Sequence, residues 1–136
     1  IMALAKAKNI VVAVDAAQAF GSWYKGKPAG AFGHLSTLSF HDTKNIMSGE
    51  GGTLIINDSS FNERAEIFWE KGTNRSKYLR GEVDKYSWVD MGSSFLPSEV
   101  TAAILMAQLP HLMEVTNERL KIWKKYFDLE FNRFRK

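Results

Sequence analysis

The sequence predicts an α/β fold, a mainly parallel sheet with helices on both faces. Three observations carry that expectation. Residues 1–8 (IMALAKAK) hold good helix formers and no breaker, and lead at once into a short apolar, β-branched run, Ile10 to Val14. An apolar run of that length behind a helix reads as a buried parallel strand. Two more strand patterns follow, Leu35 to Phe40 and Thr53 to Ile56, and after them the pattern turns helical.

Each element has a local reason. Asn9 stops the first helix, and the strand after it ends in Asp15, at the carboxyl edge of the sheet, where open α/β sheets bind ligands. Residues 19–34 are Gly-rich and contain Pro28, so they form a loop, with a hairpin centred on Lys25-Gly26-Lys27. His41 to Gly52 is a polar, glycine-bearing loop between the second and third strands. Ser60 with Glu63 three residues on matches a capping box; Ala65, Phe68 and Trp69 supply an apolar face, and Gly72 stands where a helix-ending glycine is expected. Residues 73–95 are irregular, polar and interleaved with Tyr78, Tyr86, Trp88 and Phe95; a loop of that length is functional or disordered. Pro97 opens a helix, Pro110 breaks it, and a long helix resumes. On that helix Leu112, Val115, Arg119, Trp123, Phe127 and Phe134, with Phe131, form a mostly apolar stripe that needs a partner surface.

The bulk composition narrows the function classes. The 136 residues suffice for one domain with a core. No apolar run approaches the ~20 residues that span a bilayer, and no signal peptide is visible, so no membrane partner is expected. The absence of cysteine excludes disulfides, thiolate metal sites and a Cys nucleophile, and fits a cytoplasmic protein. The net charge of +3 is gathered in Lys71, Arg75, Lys77, Arg80 and Lys85 and in Arg133, Arg135 and Lys136. Such a bias suits anionic small ligands, and no motif or basic stripe points to nucleic acid. His34 and His111 lack partners at metal spacing, so no metal is assigned.

Chemistry-bearing residues fall into three pieces: DAAQAFG (Asp15 to Gly21), SFHDTKN (Ser39 to Asn45) and GEGG (Gly49 to Gly52). Each alone is weak, since a strand-end Asp is often a turn cap and a loop Lys is often solvated. Their order is informative: a strand-end acid, a gap of about thirty residues, a Ser-Phe-His-x-Thr-Lys loop after the next strand, then a Gly-rich turn. This order resembles the DegT/DnrJ/EryC1/StrS aminotransferases, pyridoxal-phosphate (PLP) enzymes of fold type I that act on nucleotide sugars. The resemblance runs through nearly the whole chain. Arg64 to Asp90 and Gly92 to Leu109 look closest to one branch, the TDP-4-oxo-6-deoxyglucose aminotransferases, which make TDP-4-amino-4,6-dideoxygalactose for cell-surface polysaccharide.

The resemblance implies a role for each matching residue. Lys44 would bond covalently to the cofactor aldehyde and later move a proton between substrate carbon and cofactor. Asp15 would pair with the pyridine nitrogen and keep it protonated. Gln18 would hydrogen-bond or pack near the ring oxygen, and Ser39 would donate to the cofactor phosphate. Arg75, Lys77 and Arg80 would either bind the sugar nucleotide's diphosphate or form a solvated basic loop. His41 lies by the same loop, as a loop histidine rather than a proton shuttle. Residues 1–136 would be part of the large PLP-binding domain, with 111–136 a long helix leading toward a small C-terminal domain. A homodimer follows, because the family builds its site at the subunit interface. Glutamate is the implied amino donor.

The chain departs from the family pattern in two places. Val14 stands where an acid is usual, and Ser94, Phe95 and Leu96 stand in place of an Asn-Tyr-Arg-like element. The phosphate-binding turn, the ring-stacking aromatic and the small C-terminal domain of fold type I do not fit within 136 residues. Two other readings compete. A sugar 3-dehydratase would carry His where Lys44 stands. A non-catalytic PLP-fold domain would bind ligand or partner without turnover. The aminotransferase reading requires the Ile10 to Val14 run and the Ser39 to Lys44 loop to share one edge of the sheet.

Overall fold

The computed structural model describes residues 1–133, the side chains of 131 and 132 excepted. Phe134, Arg135, Lys136 and the side chain of Phe131 lie outside the described residues. Helix α1 spans Met2–Ala7 and ends at Lys8 and the left-handed Asn9. Strand β1 is Ala13–Asp15, a two-strand ribbon pairs β2 (Trp23–Tyr24) with β3 (Lys27–Pro28), and a 3₁₀ turn covers Ala29–Ala31. Strands β4 (Leu35–Ser39) and β5 (Gly52–Ile56) complete a three-stranded sheet in the order β1-β4-β5.

The sheet is mixed. β1 runs parallel to β4, Ala13 opposite Leu35 and Asp15 opposite Thr37, whereas β5 returns antiparallel, Leu35 opposite Ile56 and Ser39 opposite Gly52. The expectation of a mainly parallel sheet holds for the first pairing and is corrected by the second. The reason is the connection: residues 40–51 fold back as a hairpin, and a hairpin can only join antiparallel strands. The β2–β3 ribbon forms as expected, with Lys25 (φ 48°) and Gly26 (φ 76°) both left-handed, as the tightest hairpin turns require.

The expected burial of the first strand is not met. Ile10 and Val11 are more than half exposed, and the strand proper begins only at Ala13. Among the described residues the buried set is small, consisting of Ala5, Ala16, Phe40 and Ile46 together with Ser36, Ser48, Glu70 and Thr73 and the glycines Gly30 and Gly72. Ser36 is fully buried, its hydroxyl donating to the Val14 carbonyl at 3.2 Å. Its face of β4 is covered by the 3₁₀ turn, where a Cβ on Gly30 would stand 2.4 Å from Ile55 Cδ1.

Beyond the sheet, Asp58 rather than Ser60 supplies the cap. Its carboxylate accepts from the Ser60 amide at 2.9 Å and opens a 3₁₀ turn at Ser59–Phe61, ahead of α2 (Asn62–Trp69). The capping-box reading fails because Ser60 lies inside that turn.

Helix α2 ends with the left-handed pair Lys71 (φ 63°) and Gly72 (φ 77°), and the Gly72 amide donates to the Ile67 carbonyl at 2.7 Å. Residues 73–95 are ordered by that helix end. They contain a short helix, α3 (Arg75–Leu79). Ser93 donates to the Phe68 carbonyl, Lys71 donates to the Ser93 carbonyl, and Val89 and Asp90 both donate to the Gly72 carbonyl. Asn74 ties the loop a second time, bonding Lys85 and Ser87, while Arg64 pairs with Asp90. The exposed polar ends of one helix thus organise a stretch that has no periodicity of its own.

Ser98, not Pro97, caps α4 (Glu99–Gln108), its hydroxyl accepting from the Thr101 amide at 3.2 Å. Pro110 falls in a single 3₁₀ turn, Leu109–His111, after which α5 runs from Leu112 to Arg133. On α5 the side chains of Leu120, Ile122, Trp123, Tyr126, Phe127 and Leu129 are exposed. Among the described residues no helix is long and apolar enough to cross a membrane.

Candidate active site

β1 and β4 are parallel neighbours, so both deliver their carboxyl ends to one edge of the sheet. Asp15 and Thr37 are register partners and therefore share a face, and strand alternation places Ser39 on that face too. With strands ~4.8 Å apart and ~3.3 Å of rise per residue, the Asp15 and Ser39 Cα atoms are separated by about 8 Å. Asp15 is exposed; one carboxylate oxygen accepts from the Ala17 amide at 3.0 Å, closing the turn that carries Gln18. Gln18 is exposed on that turn. The Ser39 oxygen accepts a long bond (3.4 Å) from the His41 amide, which leaves its own O–H proton to donate elsewhere.

Lys44 lies on the hairpin that continues β4 and β5 past the sheet edge. Phe40 donates to the Gly51 carbonyl, Asp42 to Gly49, Ser48 to Phe40 and Lys44 to His41, all at 2.8–3.0 Å. Ile46, 1% exposed, anchors the loop two residues after the lysine. The Lys44 backbone is therefore fixed, while its amine has no hydrogen-bond or ion-pair partner among the described residues. The loop also meets the turn that follows Asp15. Phe20 and Phe40 pack edge to face at 5.9 Å, and the Asn45 amide donates to the Phe20 carbonyl at 3.4 Å. Helices α4 and α5 close over both: Gln108 bonds Met47, Arg119 donates to Asn45, and a Cβ on Gly21 would stand 3.0 Å from Thr116 Oγ1.

The other candidates lie elsewhere and are engaged. Arg75 Nη1 bonds Glu70 at 2.8 Å, Lys77 Nζ bonds Glu63 at 2.5 Å, and Arg80 binds both carboxylate oxygens of Glu66 as well as Glu82. The Glu66 hydrogen bonds, then those of Glu82, push the Arg80 guanidinium pKa above its ordinary value. The Arg80 hydrogen bond likewise holds the Glu82 carboxyl below its own. These pairs tie α3 and its trailing turn to α2. His41 Nδ1 faces Asp42 at 2.7 Å and its Nε2 faces Glu50 at 3.6 Å, as a histidine engaged within its own loop. Among the described residues no group of three or more His, Cys, Asp or Glu is placed to hold a metal ion.

The sequence gives no functional role to Asn45, Gln108 or Arg119. Asn45 carries a signal, as the residue directly after Lys44 in the SFHDTKN piece. Arg119 stands in the sequence only as a member of the α5 stripe, and nothing local points from Gln108 or Arg119 to partners 61 and 74 residues away.

The donor set at this edge consists of a free amine, a carboxylate with one uncommitted oxygen and a hydroxyl able to donate, and it suits an aldehyde cofactor bearing a basic ring nitrogen and a phosphate. The mixed α/β unit has the fold of the PLP-dependent transferases of fold type I. The chain belongs to the DegT/DnrJ/EryC1/StrS aminotransferase family, whose sequence profile matches residues 1–132. The cofactor of the family is pyridoxal phosphate. The chain is 37% identical over 123 residues to GDP-perosamine synthase from Escherichia coli O157:H7, covering 90% of this chain and 32% of that protein. It is also 37% identical over 122 residues to the pleiotropic regulatory protein of Geobacillus stearothermophilus, covering 89% of this chain and 30% of that one. Among solved structures it resembles a DegT/DnrJ/EryC1/StrS aminotransferase from Brucella abortus (TM-score 0.80, 26% identity, 93% of this chain and 32% of that one). The chain thus spans about a third of the length of the curated relatives it matches.

Proposed function

We propose that this chain is the cofactor-binding core of a PLP-dependent nucleotide-sugar aminotransferase, with Lys44 as the lysine that holds the cofactor. The observation that carries the reading is a rigidly held loop whose amine is unpaired, at the same sheet edge to which the neighbouring parallel strand brings Asp15. The cofactor, when bound, supplies an electron sink that stabilises negative charge on the substrate carbon. Lys44 Nζ would hold the cofactor through its aldehyde and, as a free amine, would carry the proton at that carbon. Asp15 would use its uncommitted oxygen to hold the ring nitrogen protonated; Gln18 lies on the turn beside it; Ser39 would donate to the phosphate.

Within that reading residues 1–136 form part of the large domain, and residues 111–136 lead toward a small C-terminal domain. The exposed apolar face of α5 is covered by the remainder of the protein or by the second subunit of a homodimer. The substrate we favour is TDP-4-oxo-6-deoxy-D-glucose, converted with glutamate as donor to TDP-4-amino-4,6-dideoxygalactose for cell-surface polysaccharide such as lipopolysaccharide. Its support is the resemblance of Arg64 to Asp90 and Gly92 to Leu109 to that branch; the relative named for the synthesis of GDP-perosamine supports only the broader class of sugar substrates. Arg75, Lys77 and Arg80 would serve the diphosphate only by exchanging their present carboxylates for it. A cytoplasmic location matches a nucleotide-sugar substrate. A second reading, a ligand-binding domain without turnover, draws on the identity to the pleiotropic regulatory protein.

The test is the visible spectrum of the full-length protein purified with PLP, before and after borohydride, for wild type and Lys44→Ala. Loss of the band in Lys44→Ala supports the assignment. A band that survives assigns the cofactor to another lysine. A protein colourless in both forms favours the second reading, as does a coloured wild type that turns over no sugar nucleotide.

A further inference from the structure

We infer that Gln108, with Asn45 and Arg119, positions Lys44 by clamping its loop to the α4–α5 corner and to the turn after Asp15. The inference rests on the reading of Lys44 given above. Gln108 is the last residue of α4, and its side-chain amide meets both polar groups of one peptide residue. The Met47 amide donates to Gln108 Oε1 at 3.2 Å, and Gln108 Nε2 donates to the Met47 carbonyl at 2.6 Å. Met47 is three residues beyond Lys44 and adjoins Ile46, the most deeply buried large side chain of the loop. A paired donor and acceptor fix orientation as well as distance, which a single bond or an apolar contact does not.

The second strap starts eleven residues further on, about three helical turns. Arg119 Nη1 donates to the Asn45 Oδ1, and the Asn45 amide group donates to the Phe20 carbonyl at 3.4 Å. Asn45 therefore uses its acceptor toward α5 and its donor toward the turn that carries Asp15 and Gln18. This is the only side-chain hydrogen bond among the described residues that joins the Asp15 turn to the Lys44 loop. Arg119 is charged, and a charge-assisted bond holds Asn45 in the amide orientation that leaves the NH₂ group facing Phe20. The two straps bracket the lysine's own loop: one acts on residue 45, the other on residue 47. The bonds these side chains make go to Met47, to the Phe20 carbonyl and to one another, so all three act through the loop that carries Lys44.

Amide hydrogen exchange and turnover of the full-length protein as purified test the inference, for wild type and Gln108→Met. Methionine keeps the reach and apolar stem of glutamine and removes both hydrogen-bonding ends. The expected result is exchange about 10-fold faster in the peptide 41–49, with 52–56 and 13–15 unchanged. With it goes a kcat about 10-fold lower, a KM within about 3-fold of wild type, and a shifted pH midpoint of the visible band. Unchanged exchange in 41–49 overturns the inference, and so does faster exchange in all three peptides or a kcat within about twofold of wild type. Where Gln108→Met yields no folded protein, Gln108→Glu decides by the same readouts, since it keeps the acceptor for the Met47 amide and loses the donor. The Lys44→Ala spectrum separates the two claims. If the band survives there, the Lys44 assignment fails, while the exchange result still shows whether Gln108 holds the loop.

Discussion

Substituting Gly72 by alanine is expected to destabilise the protein more than any other single methyl addition at a left-handed glycine of this chain. Gly72 has φ +77° and is buried where the end of α2 crosses the segment returning from α3. A Cβ there would stand 2.0 Å from the Asp90 carbonyl oxygen and 2.9 Å from the Asp90 and Met91 carbonyl carbons. All three are backbone atoms, so no rotamer change relieves the clash. Gly92 faces it equally closely, its own Cβ position lying 2.0 Å from the Gly72 nitrogen. The left-handed conformation alone costs an alanine about 1 kcal/mol. Forcing a methyl into a packed backbone crossing adds about 1–3 kcal/mol, and opening the crossing weakens the bonds from Val89 and Asp90 to the Gly72 carbonyl. The total is about 3–4 kcal/mol. Gly26→Ala and Gly81→Ala isolate the first contribution, because φ is +76° and +73° at those positions and nothing lies within 4 Å of either Cβ. Urea denaturation of the full-length protein, followed by tryptophan fluorescence, would compare the three. Gly72→Ala should lose about 2–3 kcal/mol more than either control. Equal losses at all three would show that the crossing is not closed as described.

Three further outcomes follow from charged groups. The Asp58 carboxyl is held below its ordinary value, chiefly by the Ser60 amide, then by the Ser60 hydroxyl and the charge of His34. A depressed folded pKa contributes stability that is present above the unfolded value near ~4 and is lost as pH falls through the folded value. Asp58→Asn should therefore show a smaller drop in Tm between pH 7 and pH 3 than wild type, and an unchanged drop would remove Asp58 from the acid response. Arg75→Met should cost about 1–3 kcal/mol, because it leaves the Glu70 carboxylate, 7% exposed, without its charged partner. Lys77→Met should cost under about 1 kcal/mol, since Glu63 is 65% exposed and water replaces the lysine; a reversed order in Tm would refute the argument from burial.

What the sequence by itself determined is local. The strand that ends in Asp15, the alternation in Leu35 to Ser39, the Lys25-Gly26 turn and the break at Pro110 each follow from the conformations those residues favour; the last three lie within one or two residues of where they were expected, while the first strand starts three residues later, at Ala13. The order of Asp15, Ser39 and Lys44 along the chain was legible too, since it needs only strand ends and loops. The tertiary structure decided whatever depends on residues far apart in sequence. The antiparallel return of β5 depends on the hairpin bonds of residues 40–51. The order in 73–95 depends on polar groups left open at the end of α2, which carry no periodicity that a sequence could display. Arg75, Lys77 and Arg80 read as free cations until folding placed Glu70, Glu63 and Glu66 beside them. The clamp between Gln108 and Met47 spans 61 residues, and no propensity or spacing rule acts at that range. Hydrophobic and dihedral preferences act residue by residue, whereas the pairing of polar groups across the fold is settled only when the chain closes on itself.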